Sequence, residues 1–381
     1  MKRKIRMGMV GGGPGAFIGA VHRAAARLDG KIDLVCGAFS SSHEKGLKTS
    51  NELFLPENRC YPDYETMFEY ENDLPESERI DCVAIVTPNH THFDIAMKAL
   101  ENGFHVICDK PMTVNLTQAK ALAEKVKATG LIFCLTHNYT AYPMIKQAKA
   151  MIESGEIGEI RKVITEYPQG WLASAIEDTN KQAGWRVDPA KTGISCCMAD
   201  IGSHAENLTE YISGLKITEL CADLGTFVLG RNLDDDGSVL LRFDNGARGI
   251  IFASQIATGE ENALKIRIYG TRGAIEWAQE SPETLRLKYN DKPRQLLRRG
   301  WSGAEVANEL SRLPAGHPEG FIEAFANIYS AFANAIIARV DFDDKFIPDF
   351  PSVDDGVRGV AFIEAVVASS KSPDKWLRFE Y

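Results

Sequence analysis

The sequence predicts an α/β protein in two parts: a doubly wound parallel sheet, then an α+β domain with a large, mostly antiparallel open sheet. Three observations carry this prediction. A short apolar strand near the N-terminus runs into a glycine cluster and a helix, strands alternate with helices as far as residue 140, and beyond Ile157 strand follows strand across short turns. Alternation is typical of parallel sheets and short turns of antiparallel ones. Because 381 residues exceed one usual core, we divide the chain into domains 1–141 and 142–381.

The composition is that of an ordinary globular protein, with 44% apolar and 25% charged residues. A formal net charge of −9 argues against a nucleic-acid surface. No apolar run reaches 18 residues and no leader-type stretch opens the chain, so we expect a cytoplasmic protein with no membrane partner. The eight cysteines form no C-x-x-C pair and lie in apolar runs, which predicts buried reduced thiols and no metal site.

The first element is a strand from Ile5 that ends in a glycine turn before a helix. Glycines there let backbone N–H groups approach a dinucleotide pyrophosphate, and the helix N-terminus adds positive potential. Gly11-x-Gly13 fits the Rossmann fingerprint, but its third glycine falls on Ala16; with Gly19 as the third glycine, the turn holds three extra residues, 14–16. A plain strand-to-helix turn is the alternative. The cofactor residues predicted here are Gly11, Gly13, Gly15, Phe17 and Ile18.

The second strand, residues 31–40, ends where such folds hold the adenosine ribose. An acidic residue there favours NAD, whereas small or basic residues admit the phosphate of NADP. The chain has only hydroxyls, and we assign Ser40 and Ser41 to the cofactor. Hydroxyls serve either ribose or phosphate, so we predict NAD or NADP, with NAD the preferred of the two.

Two later strands also end in polar residues. The run 79–86 stops at Thr87-Pro88-Asn89-His90, and the run 103–108 stops at Asp109-Lys110-Pro111. Ligands bind at the carboxyl edge of a parallel sheet, so Lys110 is a candidate for chemistry. The alternative is a Lys-Pro entry to a helix. A helix over 117–129 and a strand over 131–135 complete this part.

The second part is predicted as a meander, with hairpin turns at Asn245-Gly246 and at 271–273, and helices at 319–339 and 352–370 close the chain. The run of acids at 234–236 lacks the spacing of a calcium loop, so we expect a solvated loop. The strands span 160–167, 218–224, 238–243, 247–255, 265–269, 274–278 and 284–289.

Asp200 and His204 lie four residues apart, so on a helix they share one face. A carboxylate beside an imidazole orients it and supports proton transfer near neutral pH. A helix cap followed by a hydrogen-bonded structural histidine is the alternative.

Together these residues resemble the glucose–fructose oxidoreductase, inositol dehydrogenase and rhizopine-catabolism family (Gfo/Idh/MocA), over nearly the whole chain. The resemblance has two departures: Asp109 replaces the usual glutamate, and the glycine turn is longer. It rests on the glycine turn, Thr87-Pro88-Asn89-His90, Asp109-Lys110-Pro111, Trp185-Arg186 and Asp200-x-x-x-His204.

The resemblance implies a nicotinamide-dependent dehydrogenase of secondary alcohols of sugars, glycosides or inositols. Lys110, Asp200 and His204 look like its catalytic and substrate-contacting residues. His204 acts as the base in oxidation and Lys110 stabilises the alkoxide, or the two roles are exchanged. The remaining cofactor residues would be Thr87, Pro88, Asn89, His92, Asp109, Lys110, Asn138, Trp185 and Arg186.

Further substrate contacts are predicted at Tyr139, Gln169 and Trp171, because hydrogen bonds and an aromatic face commonly hold polyols. His317 opens a predicted helix, where it either caps the helix or contacts a substrate hydroxyl. The resemblance also implies a homodimer or homotetramer formed through the second sheet. A nicotinamide-sensing regulator and a glycosidase that uses bound NAD are the competing functions.

Overall fold

A computed structural model describes residues 3–343 and 345–381. It has two compact units. The first comprises Met1–Thr113, Thr117–Asn138 and Phe321–Val357, and the second comprises Val114–Leu116, Tyr139–Gly320 and Arg358–Tyr381. The predicted linear division into 1–141 and 142–381 stays a prediction. The compact units are not continuous in sequence, since the segment Phe321–Val357 belongs to the first one.

The first unit contains a five-stranded parallel sheet in the order β2-β1-β3-β4-β5. Its strands are apolar on both faces, as expected for a sheet covered by helices on each side. The predicted doubly wound parallel sheet is confirmed. The strands are β1 (Ile5–Gly11), β2 (Ile32–Ala38), β3 (Cys82–Val86), β4 (His105–Cys108) and β5 (Phe133–Leu135). The helices between them are α1 (Phe17–Leu28), α2 (His43–Glu52), α3 (Tyr64–Asp73), α4 (His92–Glu101) and α5 (Leu116–Thr129).

The second unit contains a nine-stranded sheet in the order β13-β12-β11-β10-β6-β9-β8-β7-β14. All neighbours are antiparallel except β6 and β9, which confirms the mostly antiparallel sheet. The short edge strands β13 and β14 were not predicted. The strands are β6 (Ile160–Pro168), β7 (Ile217–Gly225), β8 (Asp236–Phe243), β9 (Arg248–Ser254), β10 (Lys265–Gly270), β11 (Gly273–Ala278), β12 (Thr284–Tyr289), β13 (Gln295–Arg298) and β14 (Trp376–Arg378).

Alternation along these strands buries one face of the sheet. In β8, Val239 and Leu241 are buried, whereas Leu240 between them is 46% exposed. Asn245 and Gly246 make the β8–β9 turn, with Gly246 at φ +86°, as predicted. The remaining helices of the chain are α6 (Pro143–Glu153), α7 (Lys181–Arg186), α8 (Pro189–Thr192), α9 (Ser203–Ser213), α10 (Glu305–Glu309), α11 (Phe321–Val340) and α12 (Val353–Lys371).

Helix α11 packs against α1 within the first unit. Nδ1 of His22 lies 2.8 Å from the hydroxyl of Tyr329, and the ring of Phe325 lies 5.0 Å from the imidazole. Among the described residues, α11 is the one helix long and apolar enough to cross a membrane by length and composition. A buried core helix meets the same criterion, and one side of α11 is buried here, from Ala324 to Ile336.

Candidate active site

The glycine turn after β1 is built so that side chains are excluded from it. Gly11 has φ +89°, and a Cβ there would lie 2.9 Å from Cγ2 of Thr87. A Cβ on Gly13 would lie 2.5 Å from the carbonyl oxygen of Phe39. Because real Cβ atoms do not approach that closely, both positions require glycine, and the turn exposes backbone where a ligand can approach it.

Gly19 occupies the place of the third glycine. It is buried at the start of α1, and a Cβ on it would lie 2.3 Å from Cα of Gly12. The segment 14–16 therefore lies in the turn, as the longer of the two alignments requires. Helix α1 begins at Phe17, and no side chain caps its N-terminus. Its first N–H groups and its dipole give this end a positive potential that suits an anion.

A cavity of about 380 Å³ adjoins the turn. Arg23 on α1 lines the cavity and donates a hydrogen bond of 2.8 Å to the carbonyl of Gly12, which links the turn to α1. Of the predicted cofactor residues here, Phe17 is 67% exposed and Ile18 is half-buried. The lining residues are Gly12, Gly13, Pro14, Gly15, Ala16, Phe17, Ala20, Arg23, Thr49 and Glu52.

The predicted ribose residues follow β2, which ends at Ala38, two residues earlier than expected. Phe39 turns inward and is buried. Ser40 follows it, with its Cβ 3.5 Å from where a Cβ on Gly13 would be, and its hydroxyl accepts a bond of 3.2 Å from the N–H of Ser42. The structure thus places a serine hydroxyl beside the glycine turn.

The loop after β3 is held by its own side chains. The hydroxyl of Thr91 donates to Oγ1 of Thr87 at 2.7 Å and also lies 2.9 Å from the carbonyl of Pro88. The fully buried ring of His92 lies between two carbonyls, with Nε2 at 2.8 Å from Thr87 and Nδ1 at 2.9 Å from Pro111. Burial lowers the pKa of His92. Its ring therefore links the loop after β3 to the loop after β4.

The loop after β4 carries Lys110. Oδ1 of Asp109 accepts hydrogen bonds of 2.9 Å from the N–H of Lys110 and from the hydroxyl of Thr136. The Lys110–Pro111 peptide bond is cis. Burial, and then the positive charge of Lys110, lower the pKa of His137 to about 3, so this imidazole is neutral at physiological pH. Asn138, next to it, is also buried.

In the second unit, Asp200 lies in a π-helical turn, Met198–Gly202, directly before α9. Its Oδ2 accepts hydrogen bonds from Nε of Arg186 at 3.0 Å and from Nε2 of Gln255 at 2.9 Å. The guanidinium of Arg186 also lies 4.2 Å from the ring centre of Trp185. Two donors on one oxygen fix the orientation of the carboxylate.

His204 is the second residue of α9 and is 7% exposed. The ring of Tyr139 meets it edge-on with 4.8 Å between centroids, and the ring of Tyr167 lies 6.3 Å away. Asp200 and His204 lie on one continuous helical segment, and their sharing of one face stays a prediction. The turn between them is π-helical and carries an extra residue, a form that occurs often at functional sites.

A hydrogen-bonded chain of side chains extends from Tyr139. Its hydroxyl bonds that of Tyr167, which donates to Oδ1 of Asn262 at 2.7 Å. Nε2 of Gln169 donates to the same oxygen at 2.7 Å, and Nε1 of Trp171 donates to Oε1 of Gln169 at 3.0 Å. Burial raises the pKa of both tyrosines, so both phenols are neutral at physiological pH.

The second unit thus brings together most of its predicted site residues. His317 is not among them: its side chain is exposed, its carbonyl accepts a bond from Arg299, and α11 begins later, at Phe321. Tyr167, Gln255 and Asn262 were not predicted from the sequence. Tyr167 had a signal, since it lies two residues before Gln169, whereas an isolated Gln255 after a strand had none. The residues brought together are Tyr139, Gln169, Trp171, Trp185, Arg186, Asp200 and His204.

Comparison with known proteins identifies both halves of the chain. Residues 5–137 match the profile described as "Oxidoreductase family, NAD-binding Rossmann fold", and residues 145–276 match the "GFO/IDH/MocA C-terminal domain". The uncharacterized oxidoreductase YfiI of Bacillus subtilis (strain 168) is 37% identical over 390 aligned positions, which span all of this chain and 98% of that protein.

Solved structures agree. An oxidoreductase from Sinorhizobium meliloti is 45% identical, with a TM-score of 0.87 over 99% of this chain and 100% of that one. An inositol dehydrogenase homolog from Azotobacter vinelandii is 36% identical over 99% of this chain and 98% of that one. Its TM-score is 0.95 for the complex with NAD+ and 0.92 for the complex with NADH and myo-inositol.

These matches confirm the predicted family, the fold class, the nicotinamide cofactor and the assignment as an enzyme. The glycine turn suits a dinucleotide, because it lies at the N-terminus of α1, which no side chain caps, and beside a cavity of about 380 Å³. The chain belongs to the Gfo/Idh/MocA family and is a nicotinamide-dependent oxidoreductase with an NAD-binding Rossmann domain.

Proposed function

We propose that this enzyme oxidises a secondary hydroxyl of a cyclic polyol, an inositol or a sugar or glycoside ring, with NAD as the hydride acceptor. The observation that carries the proposal is the Asp200 carboxylate, oriented by Arg186 and Gln255 one helical turn before His204. A relative 36% identical is described as an inositol dehydrogenase homolog and was solved with NADH and myo-inositol.

The first unit supplies most of the proposed cofactor residues, and Trp185 and Arg186 of the second unit complete them. Backbone N–H groups of the turn at Gly11–Gly13 and the N-terminus of α1 would hold the pyrophosphate. Ser40, beside Gly13, would form a hydrogen bond with the adenosine ribose. No lysine or arginine occurs from Ala38 to Ser42 to pair with a 2′-phosphate, which favours NAD over NADP.

Each remaining residue has a chemical task. NAD, when bound, would supply the hydride acceptor for the carbinol carbon. His204 takes the hydroxyl proton, since a neutral imidazole is the usual base near pH 7. The ammonium of Lys110 donates a hydrogen bond to the same oxygen and stabilises its developing negative charge. Asp200 accepts a hydrogen bond from a substrate hydroxyl. Uniting Lys110 of the first unit with Asp200 and His204 of the second in one reaction is part of the proposal.

Substrate recognition falls to the chain of side chains that begins at Tyr139. Neutral phenols and amides form both donors and acceptors for hydroxyl groups. The indole of Trp171, tied to Gln169, offers an apolar face to the C–H side of a ring. The same combination suits an inositol and a pyranose, so the substrate class is cyclic polyols.

The test is a panel of inositols, sugars and glycosides, assayed separately with NAD and NADP by absorbance of the reduced cofactor. We expect NADH formation with at least one cyclic polyol and slower formation of NADPH. Cofactor binding without turnover across the panel would indicate a sensor instead. Glycoside cleavage without net NADH would indicate a glycosidase that uses bound NAD.

We also propose a homodimer or homotetramer formed through the open face of the second sheet, where Leu240 is 46% exposed. A chain of 42.0 kDa that eluted as a monomer in size-exclusion chromatography would contradict this. The proposed location is the cytoplasm, in keeping with eight free cysteines, and neither nucleic acid nor a membrane is a proposed partner.

A further inference from the structure

Asp234 lies in the acidic run 234–236, for which the sequence predicts a solvated loop. That expectation is wrong for Asp234 and Asp235, which are 7% and 1% exposed. Oδ1 of Asp234 accepts a bond from the N–H of Cys196 at 3.0 Å, and its Oδ2 accepts one from the N–H of Met198 at 2.9 Å. Its backbone carbonyl accepts from the N–H of Cys197 at 3.0 Å. One residue therefore satisfies three consecutive amides.

These amides begin the helical segment that carries Asp200. The first N–H groups of any helix have no partner within it and need one from elsewhere. The fourth, on Ala199, donates to Oγ of Ser195 at 3.2 Å, and that hydroxyl lies 3.0 Å from Oδ2 of Asp234. Asp200 is the next residue, and its N–H bonds the carbonyl of Cys196 at 2.9 Å. Asp234 and Ser195 therefore cap the amides of residues 196–199, and the next residue is Asp200 of the proposed site.

Position matters here because Asp200 lies in a π-helical turn. Each residue added to or removed from a helical turn rotates the rest of the helix by about 100°. If the first turn frays, or if the π turn relaxes to an α turn, the carboxylate of Asp200 loses its orientation toward Arg186 and Gln255. After the turn, Oγ of Ser203 donates to the carbonyl of Ala199 at 2.8 Å. Asp234 provides the anchor before the turn.

We propose that Asp234 is a positioning residue for catalysis: it clamps the amides of residues 196–198 and thereby sets the orientation of Asp200. The proposal rests on the proposed function only in taking Asp200 to contact substrate. Asp234 itself does not touch the reacting groups. It comes from the segment before β8 and acts through the backbone of a different part of the chain.

The experiment compares Asp234→Asn with Asp235→Asn. Asp235 is adjacent and also buried, but its carboxylate holds a different segment, because it accepts from the N–H groups of Phe227 and Val228, both at 2.9 Å. We expect Asp234→Asn to lower kcat by roughly 10- to 100-fold, as small misplacements of catalytic groups do, while the Kd for NADH stays within about twofold. Asp235→Asn should keep kcat within about 1.5-fold. Equal losses in both variants, or none in Asp234→Asn, would overturn the proposal.

A second readout needs no turnover. In hydrogen–deuterium exchange of the full chain, Asp234→Asn should accelerate exchange at Cys196 and Met198, and Asp235→Asn should leave both unchanged. Unchanged exchange in Asp234→Asn contradicts the clamp.

A wild-type enzyme inactive on the whole panel would refute the proposed function, and the exchange experiment alone would then test the clamp. If Asp234→Asn does not fold, Ser195→Ala removes one contact of the clamp; kcat should fall about threefold, and an unchanged kcat overturns the proposal.

Discussion

The cofactor loops of the first unit and the Asp200 cluster of the second are built by opposite means. The first relies on backbone: glycines at positions where a Cβ would collide, and an uncapped helix N-terminus. The second relies on side chains, since Asp200 is held by Arg186, 14 residues away, and by Gln255, 55 residues away. A backbone site is local in sequence, whereas a side-chain site is assembled from distant segments.

The difference extends to tolerance of change. In the glycine turn, any added side chain collides with the protein, whatever its chemistry. In the Asp200 cluster, the loss of one donor leaves the others in place, so the loss of activity should be graded. The loss of a group that takes part in the reaction should lower kcat more than either kind of substitution.

Loss of a proton-transfer group from either region should cost the most. We expect Lys110→Ala and His204→Ala each to lower kcat by roughly 10²-fold or more, with cofactor binding retained, because general acid–base catalysis contributes that much. Steady-state kinetics on the best substrate of the panel, with an NADH titration as the control, measures this. Near-normal turnover would remove that residue from the mechanism.

The same two variants identify the base. If His204 is the base, His204→Ala loses the acidic limb of the pH profile of kcat/KM, whereas Lys110→Ala keeps it. If the limb survives in His204→Ala and disappears in Lys110→Ala, the roles are exchanged.

A methyl group in the glycine turn should break the cofactor region by sterics alone. In Gly13→Ala the new Cβ would lie 2.5 Å from the carbonyl oxygen of Phe39, so the turn must move. Overpacking of this kind costs roughly 1–3 kcal/mol, and we expect NADH to bind about ten- to a hundredfold more weakly. Fluorescence titration measures the Kd.

Gly30→Ala is the matched control for that variant. Gly30 has φ +67° in the same unit, and no atom lies within 4 Å of its Cβ position. The substitution strains the backbone by about 1–2 kcal/mol and should leave the Kd for NADH unchanged. If both variants weaken binding equally, general destabilisation is the cause and steric exclusion is not.

Removing one donor from Asp200 should have a graded effect. Gln255→Leu deletes the hydrogen bond of 2.9 Å and leaves the one from Arg186, so we expect kcat to fall about tenfold, in line with the loss of one hydrogen bond to a charged group. Gln279→Leu, which alters a glutamine directly after β11 as Gln255 directly follows β9, should keep kcat within about twofold. An unchanged kcat in Gln255→Leu would show that Arg186 alone orients the carboxylate.

The first unit should also be acid-sensitive through its buried imidazoles. Burial lowers the pKa of His22 and His105 to about 4 and that of His137 to about 3. Because these folded-state values lie below the unfolded value of about 6.5, the neutral imidazoles stabilise the fold fully above pH 6.5, and that stability is lost as the pH falls toward 4.

At pH 5.5, one unit below the pKa of histidine in the unfolded state, each of these histidines should lower the free energy of unfolding by about 1.4 kcal/mol. Urea unfolding at pH 7.5 and pH 5.5 measures the drop. His105→Gln should reduce it by one histidine's share, because Nδ1 of His105 accepts from the N–H of Ile132 and must stay neutral. His43→Gln, at an exposed position, should leave the drop unchanged. An equal drop in all three proteins would contradict the assignment.

The parallel and antiparallel sheets, the glycine turn and the family were all predictable from the amino-acid sequence. Each of these depends on local pattern: alternation of strands and helices, hairpin turns such as Asn245-Gly246, and glycines where the backbone needs positive φ or close approach. Such patterns can be recognised in the sequence because the residues that form them are neighbours in the chain.

How Asp200 is held became visible in three dimensions alone. The π turn, the two donors on Oδ2 and the buried clamp of Asp234 depend on contacts between segments far apart in the chain. The same reason explains the wrong expectation for the acidic run at 234–236. A run of acidic residues predicts a loop exposed to water. Asp234 is buried instead because the amides of residues 196–198 replace the water as its hydrogen-bond donors.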